Sequence, residues 1–316
     1  MGLPPSADPR HPHSNRRAMS HPSDSEPFLP AIVPGTMTLH QWGLSGRKLA
    51  DWISACLDMG VDAFDLADLY GNYGNEELFG TALKADPSLQ SRIRLVTKCG
   101  VMLLSDNRPD NRVKHYNTDP GHIVGSVENS LSLLNREAMD LLLVHRPDLL
   151  MDYAELGGVL DSLVDQGKVL RVGVSNFTPS QFSALQRRMT HPLATNQIRF
   201  NVLHTEPLFD GTIDQASELG WRPMAYAPFE SGRLLRPDDE TAVRLRAAFS
   251  RMQEDYPFGA NGVPVSWIHT HPVKPHIVVA TRHLHKIAEM VEASKTPLDR
   301  QHWYELLEIS RGFPVP

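Results

Sequence analysis

Short apolar runs alternate with amphipathic helical patterns over nearly the whole chain, and this alternation constrains the fold more than any other feature. Eight apolar runs follow one another at intervals that leave room for a helix. They cover residues 29–33, 61–64, 93–97, 139–144, 169–174, 194–198, 221–226 and 277–280. Strands separated by helices pair in parallel, because the helix carries the chain back across the sheet. The alternation therefore predicts an α/β protein with a parallel sheet.

Seven helical patterns lie between and after these strands. They cover residues 47–59, 75–84, 120–135, 152–166, 179–188, 211–219 and 283–293. Eight strands with intervening helices favour a single (β/α)8 TIM barrel, which commonly takes about 250 residues. The competing doubly wound sheet needs a Gly-rich phosphate loop after its first strand, and no G-x-G-x-x-G motif stands there. A long loop at residues 100–119 and an extra C-terminal helix at residues 296–310 are also predicted.

The first 27 residues differ in composition from the rest of the chain. They are rich in Pro, Ser and His and contain almost no apolar residues, so they cannot bury enough surface to become ordered. They also lack the apolar core of a secretory signal. We therefore predict a disordered tail at residues 1–27 and one barrel domain at residues 28–316.

The bulk composition argues against several classes of partner. The net charge is −6 with both signs interspersed, and no basic stripe suggests a nucleic-acid surface. No run of 18 apolar residues predicts a membrane span. Two cysteines, Cys56 and Cys99, stand in apolar patterns typical of buried free thiols in a reducing compartment, which favours a cytoplasmic location. The sequence gives no indication of the oligomeric state.

Polar side chains stand directly after most of the predicted strands. In TIM barrels the chemistry gathers at the carboxyl ends of the strands, so these residues are expected to share one mouth. They are Asp65, Lys98, His145, Ser175, Asn176, Gln197, Tyr226, Thr281 and Arg282. Tyr70 follows Asp65 by five residues in a Gly/Asn-rich loop that could lean over the same mouth.

Four of these residue types together can protonate a carbonyl oxygen. A tyrosine phenol has a pKa near 10 in water, too high for efficient proton transfer near neutral pH. A charged Lys98 beside Tyr70 would lower that pKa, and Asp65 would keep Lys98 charged and fixed. His145 could orient the carbonyl oxygen from a second direction. These four residues supply a proton for the carbonyl oxygen but no nucleophile for the carbonyl carbon. A hydride from another molecule is therefore the natural candidate for the attack on that carbon.

A hydride donor of the nicotinamide type fits the remaining strand-end residues. Ser175, Asn176 and Gln197 carry hydroxyl and amide groups suited to a carboxamide, and Tyr226 offers a flat face for stacking on a ring. Without a Rossmann fingerprint, the diphosphate must be held by loops after the seventh strand. The candidates there are Ser231, Gly232 and Arg233.

Several segments closely resemble the aldo-keto reductases, and in particular a bacterial branch, the YdhF-like oxidoreductases. They are PGTMTL, FDLADLYGNYGNEELFG, TKCG, DLLLVHRPD, GKVLRVGVSNFTPSQ, TNQI and MAYAPFESGRL. The resemblance implies a reductase that uses NADP(H) to reduce a small carbonyl compound, an aldehyde or a ketone. It implies a catalytic tetrad of Asp65, Tyr70, Lys98 and His145, with Tyr70 as the general acid/base. It extends the cofactor site to Thr36, Met37, Ala227, Phe229, Thr281, Arg282, Lys286 and Glu289.

One cofactor contact departs from the family pattern. Many members that prefer NADPH carry a lysine at the position of Ala280, so one expected contact to the 2′-phosphate is lost. Arg282, His283 and Lys286 could replace its charge. We therefore expect a modest preference for NADPH over NADH.

Individual features of the sequence also suggest other functions. Histidine pairs such as His283 and His285 suggest a metal, but residues two apart on a helix point in different directions, so no metal site is predicted. Lys98 as a Schiff-base lysine would need a neutral amine, which Asp65 and Tyr70 disfavour. A non-catalytic barrel that senses a nicotinamide cofactor as a regulatory subunit remains an alternative. Arg112 or Lys114 could favour an acidic substrate, or either could simply be solvated.

Overall fold

The computed structural model describes residues 27–315 and contains eight parallel strands with helices between them. The predicted tail, apart from Pro27, lies outside the described residues. The barrel strands are β1 (Ile32–Pro34), β2 (Ala63–Asp65), β3 (Arg94–Cys99), β6 (Leu141–Val144), β7 (Val172–Ser175), β8 (Leu193–Arg199), β9 (Met224–Tyr226) and β10 (His276–Val279). A small antiparallel hairpin, β4 (Val101–Met102) and β5 (His115–Tyr116), stands in the predicted long loop.

The helices follow the strands in chain order. They are α1 (Gly46–Asp58), α2 (the single turn Tyr70–Tyr73), α3 (Asn75–Ala85), α4 (Pro120–Leu134), α5 (Tyr153–Asp165), α6 (Pro179–Gln186), α7 (Thr212–Leu219), α8 (Glu240–Met252), α9 (Gly262–Thr270), α10 (Leu284–Lys295) and α11 (Arg300–Arg311). Helix α11 is the predicted additional C-terminal helix. Among the described residues, no helix combines the length and apolar character needed to cross a membrane.

The strands close into a barrel. Their order is β1-β10-β9-β8-β7-β6-β3-β2, with every pair parallel. At the seam, Gly35 forms a parallel bridge with Asp65, and the Thr36 amide donates to the Asp65 carbonyl at 2.9 Å. This contact joins the first strand to the second, and it confirms the predicted (β/α)8 architecture.

Two apolar layers hold the barrel together. The inner layer fills the barrel with side chains from alternate strand positions, including Val33, Val96, Leu143 and Met224, and Leu29 packs against it. The outer layer lies between the strands and the helices. Strands buried on both faces need apolar residues at nearly every position, which explains the continuous apolar runs of the sequence.

Local sequence signals set the bounds of several helices. Helix α6 begins with a capping box, in which the Thr178 hydroxyl accepts from the Gln181 amide at 3.3 Å and the Gln181 side chain accepts from the Thr178 amide at 3.0 Å. Pro179 occupies the first helical position, where its missing N–H costs nothing. Asn135 follows the last residue of helix α4 and caps its C-terminus in a left-handed conformation.

Two helices between β9 and β10 were not predicted. Helix α9 is buried on nearly all sides from Gly262 to Ile268, so it has no polar face and no helical period to detect. Helix α8 does carry such a period, with Leu245, Phe249 and Met252 buried, and Asp239 caps its N-terminus. The signal for α8 was therefore present in the sequence, whereas the signal for α9 was not.

The start of the barrel domain can be tested by truncation. Phe28 lies under the Arg171 guanidinium at 3.8 Å, and its carbonyl accepts from Arg94, while Leu29 is buried. We expect deletion of residues 1–26 to leave the melting temperature within about a degree, because those residues contain little apolar surface. Deletion of residues 1–29 should lower it by several degrees, since burying one leucine contributes about 2 kcal/mol. Equal melting temperatures for both truncations would contradict this boundary.

Candidate active site

A pocket of about 580 Å³ opens at the carboxyl ends of the barrel strands. This size is typical of small-molecule and cofactor sites. The predicted site residues that line it are Met37, Asp65, Tyr70, His145, Ser175, Asn176, Gln197, Tyr226, Ala227, Phe229, Ser231 and Gly232. The strand-end rule therefore brings most of the predicted residues to one cavity.

A buried ion pair lies beneath this pocket. The Lys98 Nζ donates to Asp65 Oδ2 at 2.6 Å and to the Leu66 carbonyl at 2.7 Å, and the two side chains are 0% and 2% exposed. The third Nζ contact is with the Tyr70 hydroxyl at 3.1 Å. An ammonium has three donors, so Lys98 is fully satisfied and one of its donors points at Tyr70.

The loop after β2 positions Tyr70 by an unusual backbone path. Gly71, Asn72 and Tyr73 all have positive φ, between 57° and 67°. Glycine is required at position 71 for two reasons. The positive φ disfavours other residues, and an added Cβ would lie 1.9 Å from the Asn75 side-chain oxygen. The Asn75 amide donates in turn to the Thr36 carbonyl at 2.7 Å. The loop is thereby tied to the segment after β1, and Tyr70 is held over Lys98.

The pKa of Tyr70 is set by opposing effects. Burial raises the pKa of the phenol above its usual value of 10.0, while the Lys98 charge lowers it and the Asp65 charge raises it. Lys98 thus acts in the predicted direction, but burial outweighs it in the open pocket. Burial also lowers the pKa of Lys98, yet Asp65 and Tyr70 together raise it above 10.5. Tyr70 is consequently protonated, and Lys98 is charged, at neutral pH.

His145 stands beside Tyr70 as a neutral imidazole. The two rings meet edge to face, with centroids 6.0 Å apart and planes at 80°. Burial lowers the pKa of His145 well below 6.5, and the charges of Lys98, Arg146 and Lys114 lower it further. Its Nδ1 is buried and has no hydrogen-bond partner among the described residues. A neutral ring can donate one hydrogen bond to a molecule in the pocket.

Hydroxyl and amide groups form a connected chain on the opposite wall. The Tyr226 hydroxyl donates to Asn176 Oδ1 at 2.8 Å, and Asn176 Nδ2 donates to Ser175 Oγ at 2.7 Å. Ser175 Oγ donates to the Gln197 carbonyl at 3.0 Å. Asn176 is itself in a left-handed conformation with φ of 60°. These bonds fix the directions of the polar groups that face the pocket.

Gln197 connects this chain to the ion pair. Its Nε2 donates to Asp65 Oδ1 at 2.7 Å, so both carboxylate oxygens of Asp65 are bonded. The Gln197 Oε1 remains an acceptor for a group in the pocket. The sequence placed Gln197 at the mouth as a cofactor ligand but did not anticipate its contact with Asp65.

The other predicted cofactor residues lie away from the central pocket. The Thr36 side chain is fully buried and donates to the Asp65 carbonyl at 3.1 Å, which makes it part of the barrel seam. Arg233 is paired with Asp239 at 2.5 Å. Thr281, Arg282, Lys286 and Glu289 follow β10. This placement does not support a direct ligand contact by the Thr36 side chain.

Thr281 and Arg282 lie between β10 and α10, and Lys286 and Glu289 lie in the first two turns of α10. Arg282 Nη1 donates to the Trp42 carbonyl at 2.6 Å, and the Arg282 carbonyl accepts from the Trp52 ring at 2.9 Å. The first turn of α10 contains no acidic residue. Glu289 lies against Gly259, where an added Cβ would come within 2.8 Å of its Oε1. In residues 27–315, no group of three or more His, Cys, Asp or Glu side chains could hold a metal ion.

Sequence reasoning missed a buried glutamate that supports the loop after β9. Ala227, Glu230 and Ser231 all have positive φ, between 51° and 56°, which is rare for residues other than glycine. Glu230 is 5% exposed, pairs with Arg199 and accepts from Asn201 Nδ2 at 2.6 Å. Such backbone persists only where its surroundings enforce it. Contacts across about 30 residues leave no local pattern in the sequence.

Comparisons with known proteins agree on one family. The sequence profile of the aldo/keto reductase family matches residues 31–311. Oxidoreductase YdhF of Escherichia coli is 38% identical over 92% of this chain and 96% of its own length, and a 6-dehydroglucose reductase of Agrobacterium fabrum is 40% identical over 83% and 88%. The solved structure of a glycerol dehydrogenase from Gluconobacter oxydans has a similar fold, with a TM-score of 0.78 at 23% identity, covering 91% of this chain and 94% of the other.

Replacing Glu230 tests the support of the loop after β9. Glu230→Ala removes the carboxylate that pairs with Arg199 and one of the two acceptors of Asn201 Nδ2, the other being the Ala227 carbonyl, so we expect a loss of about 1–3 kcal/mol in unfolding free energy. The affinity for a nicotinamide dinucleotide should fall as well, because Ser231 and Gly232 lose their fixed position. Thermal denaturation and fluorescence titration measure the two effects. Glu206→Ala, at an exposed glutamate on the neighbouring segment, serves as the control. Unchanged affinity in a destabilised Glu230→Ala would show that the loop does not need this support.

Proposed function

This chain belongs to the aldo/keto reductase family, and from that premise we propose that it reduces the carbonyl group of an aldehyde or ketone with NADPH. The observation that carries the proposal is the Lys98 ammonium, which joins Asp65 to the Tyr70 hydroxyl under an open pocket. An ion pair that served only to stabilise the fold would not require the third N–H of the Lys98 ammonium to point at a phenol that faces a cavity.

The pocket fits the nicotinamide end of the cofactor. A carboxamide needs a donor and acceptors, and Asn176 and Gln197 present both from fixed positions. The Tyr226 ring lines the same wall, where it would stack on the nicotinamide ring. The positive-φ loop at Ser231 and Gly232 would hold the diphosphate with its backbone amides.

The cofactor supplies the hydride, and the chain supplies the proton and the geometry. Tyr70 is protonated in the pocket, so it can donate to the substrate oxygen as negative charge develops there. The His145 ring, held neutral, donates a hydrogen bond to the same oxygen and fixes its direction. Lys98 stabilises the phenolate that remains, because its charge cannot be screened by water in a fully buried position.

Discrimination of NADPH from NADH is proposed to reside in the first turn of α10. Lys286 and Arg282 are exposed cations beside a helix N-terminus that carries no acidic residue. A phosphate is favoured at such a position by the helix dipole and by charge-assisted hydrogen bonds. Arg282 has one N–H on Trp42, which orients the guanidinium and leaves other donors for a phosphate.

The substrate panel should include sugars as well as simple aldehydes. One relative is named as a 6-dehydroglucose reductase and a structural relative as a glycerol dehydrogenase. Both names refer to polyhydroxylated compounds. We propose a small carbonyl compound as substrate, and a screen of NADPH consumption would identify it.

Substitution of Tyr70 tests the chemical step. Tyr70→Phe removes one oxygen, so NADPH binding should survive while single-turnover reduction of a nitrobenzaldehyde falls by about 10²-fold to 10⁴-fold. Tyr73→Phe, in the same loop, is the matched control. Wild-type single-turnover rates in Tyr70→Phe would remove Tyr70 as the proton donor. A wild-type protein that binds NADPH but turns over no carbonyl compound would support the cofactor-sensing alternative.

The pH dependence follows from the raised pKa of Tyr70. Reduction needs the protonated phenol, which persists until the pH exceeds that pKa. The single-turnover reduction rate should therefore stay flat from about pH 6 to pH 9, whereas oxidation of the alcohol, which needs the phenolate, should rise with pH. Stopped-flow absorbance at the two ends of this range measures both directions. A reduction rate that falls across neutral pH would indicate a different proton donor.

Cofactor selectivity is tested by dissociation constants. Lys286→Gln and Arg282→Ala should each raise the constant for NADPH about tenfold and the constant for NADH by less than twofold, because only NADPH carries the 2′-phosphate. Lys295→Gln, at the far end of α10, is the matched control. Equal changes for both cofactors would exclude this role.

A further inference from the structure

Two positively charged side chains line the pocket together with Tyr70 and His145, and the proposed reduction uses neither of them. Lys114 lies directly before β5 in the hairpin, and Arg146 follows His145 after β6. Both line the pocket that contains Tyr70 and His145. Arg146 is half-buried and Lys114 is exposed, so both reach the pocket from its rim.

Neither cation is neutralised by the protein. Within residues 27–315, no carboxylate lies within 4.0 Å of either side-chain nitrogen, and neither side chain makes a hydrogen bond. The carboxylate that lines the pocket is Asp65, and both of its oxygens are already bonded to Lys98 and Gln197. This side of the pocket therefore has an excess of positive charge.

The cations are also close to the reacting groups. Both lower the pKa of His145 through their charge, so they act on the catalytic end of the pocket. They stand by β5 and β6, whereas the loop of Ser231 and Gly232 follows β9, and β7 and β8 separate the two regions. The diphosphate proposed for that loop does not account for them.

We propose that Lys114 and Arg146 form an anion-binding subsite, and that the substrate is a carbonyl compound carrying a carboxylate, a phosphate ester or a sulfonate. The inference rests on the proposed reductase function and narrows its substrate class. Val101, Leu103 and Tyr116 line the same side and would contact the carbon chain between the two groups. Arg146 forms paired hydrogen bonds with an oxyanion, and Lys114 adds a point charge at the rim.

Matched aldehydes test the subsite. 4-Carboxybenzaldehyde and its neutral methyl ester have the same reactive end, and 4-formylphenyl phosphate and 4-formylbenzenesulfonate separate the three anions. We expect a lower KM for at least one anion than for the ester. Arg146→Gln should raise that KM about tenfold and Lys114→Gln several-fold, with kcat and the ester kinetics nearly unchanged. Arg112→Gln is the control, because Arg112 is exposed in the same loop and does not line the pocket.

Calorimetry keeps this test independent of turnover. Titration of 4-(hydroxymethyl)benzoate and its methyl ester into the protein, with and without NADP⁺, measures anion binding directly. The subsite is supported if the acid binds more tightly than the ester and if Arg146→Gln abolishes this difference. This result would hold even if no aldehyde were reduced. Absence of turnover would count against the reductase function and not against the subsite. The subsite is overturned if acid and ester bind equally, if the variants weaken both equally, or if Arg112→Gln has the same effect.

Discussion

The rest of the structure depends on Asp65, which takes part in both the closure of the barrel and the site at its mouth. Its backbone carbonyl accepts from the Thr36 amide and hydroxyl, the bonds that join the first strand to the second. Its carboxylate accepts from Lys98 and Gln197. A buried ion pair is expensive to desolvate and is stable only when both partners are fully hydrogen-bonded. That requirement fixes three strand ends relative to one another before any ligand binds.

The fold was largely predictable because strands buried on both faces produce apolar runs that a single sequence shows directly. The runs that became β3 and β6 differ from the predicted ranges by one or two residues at their ends. Helix α9 shows the limit, since a helix surrounded by apolar neighbours has no polar face and so no period. Helix α8, by contrast, has a helical period and a capping Asp239, so its sequence does predict a helix there.

The location of the candidate site could be predicted from the sequence, but the contacts within it could not. A polar residue after a buried strand is a local signal, and it placed Asp65 and His145 at one pocket with Lys98 directly beneath it. The bond between Gln197 and Asp65 joins residues 132 positions apart, and nothing in the neighbourhood of either indicates it. The same holds for Glu230, whose support of a strained loop depends on packing. The location of Thr36 in the seam likewise follows from barrel closure rather than from its sequence position.

The charges around the pocket favour negative charge on a bound oxygen over negative charge on the protein. Lys98 is charged and fully buried, His145 is neutral and can donate, and Tyr70 keeps its proton because burial disfavours a phenolate in the open pocket. In the proposed reduction, the Tyr70 proton would move to an oxygen that gains negative charge beside it, and Lys98 would then face the phenolate at the distance already present in the structure. Because these dipoles and charges are in place beforehand, the proposed reduction would need little reorganisation, and the interaction would be strongest where the charge develops.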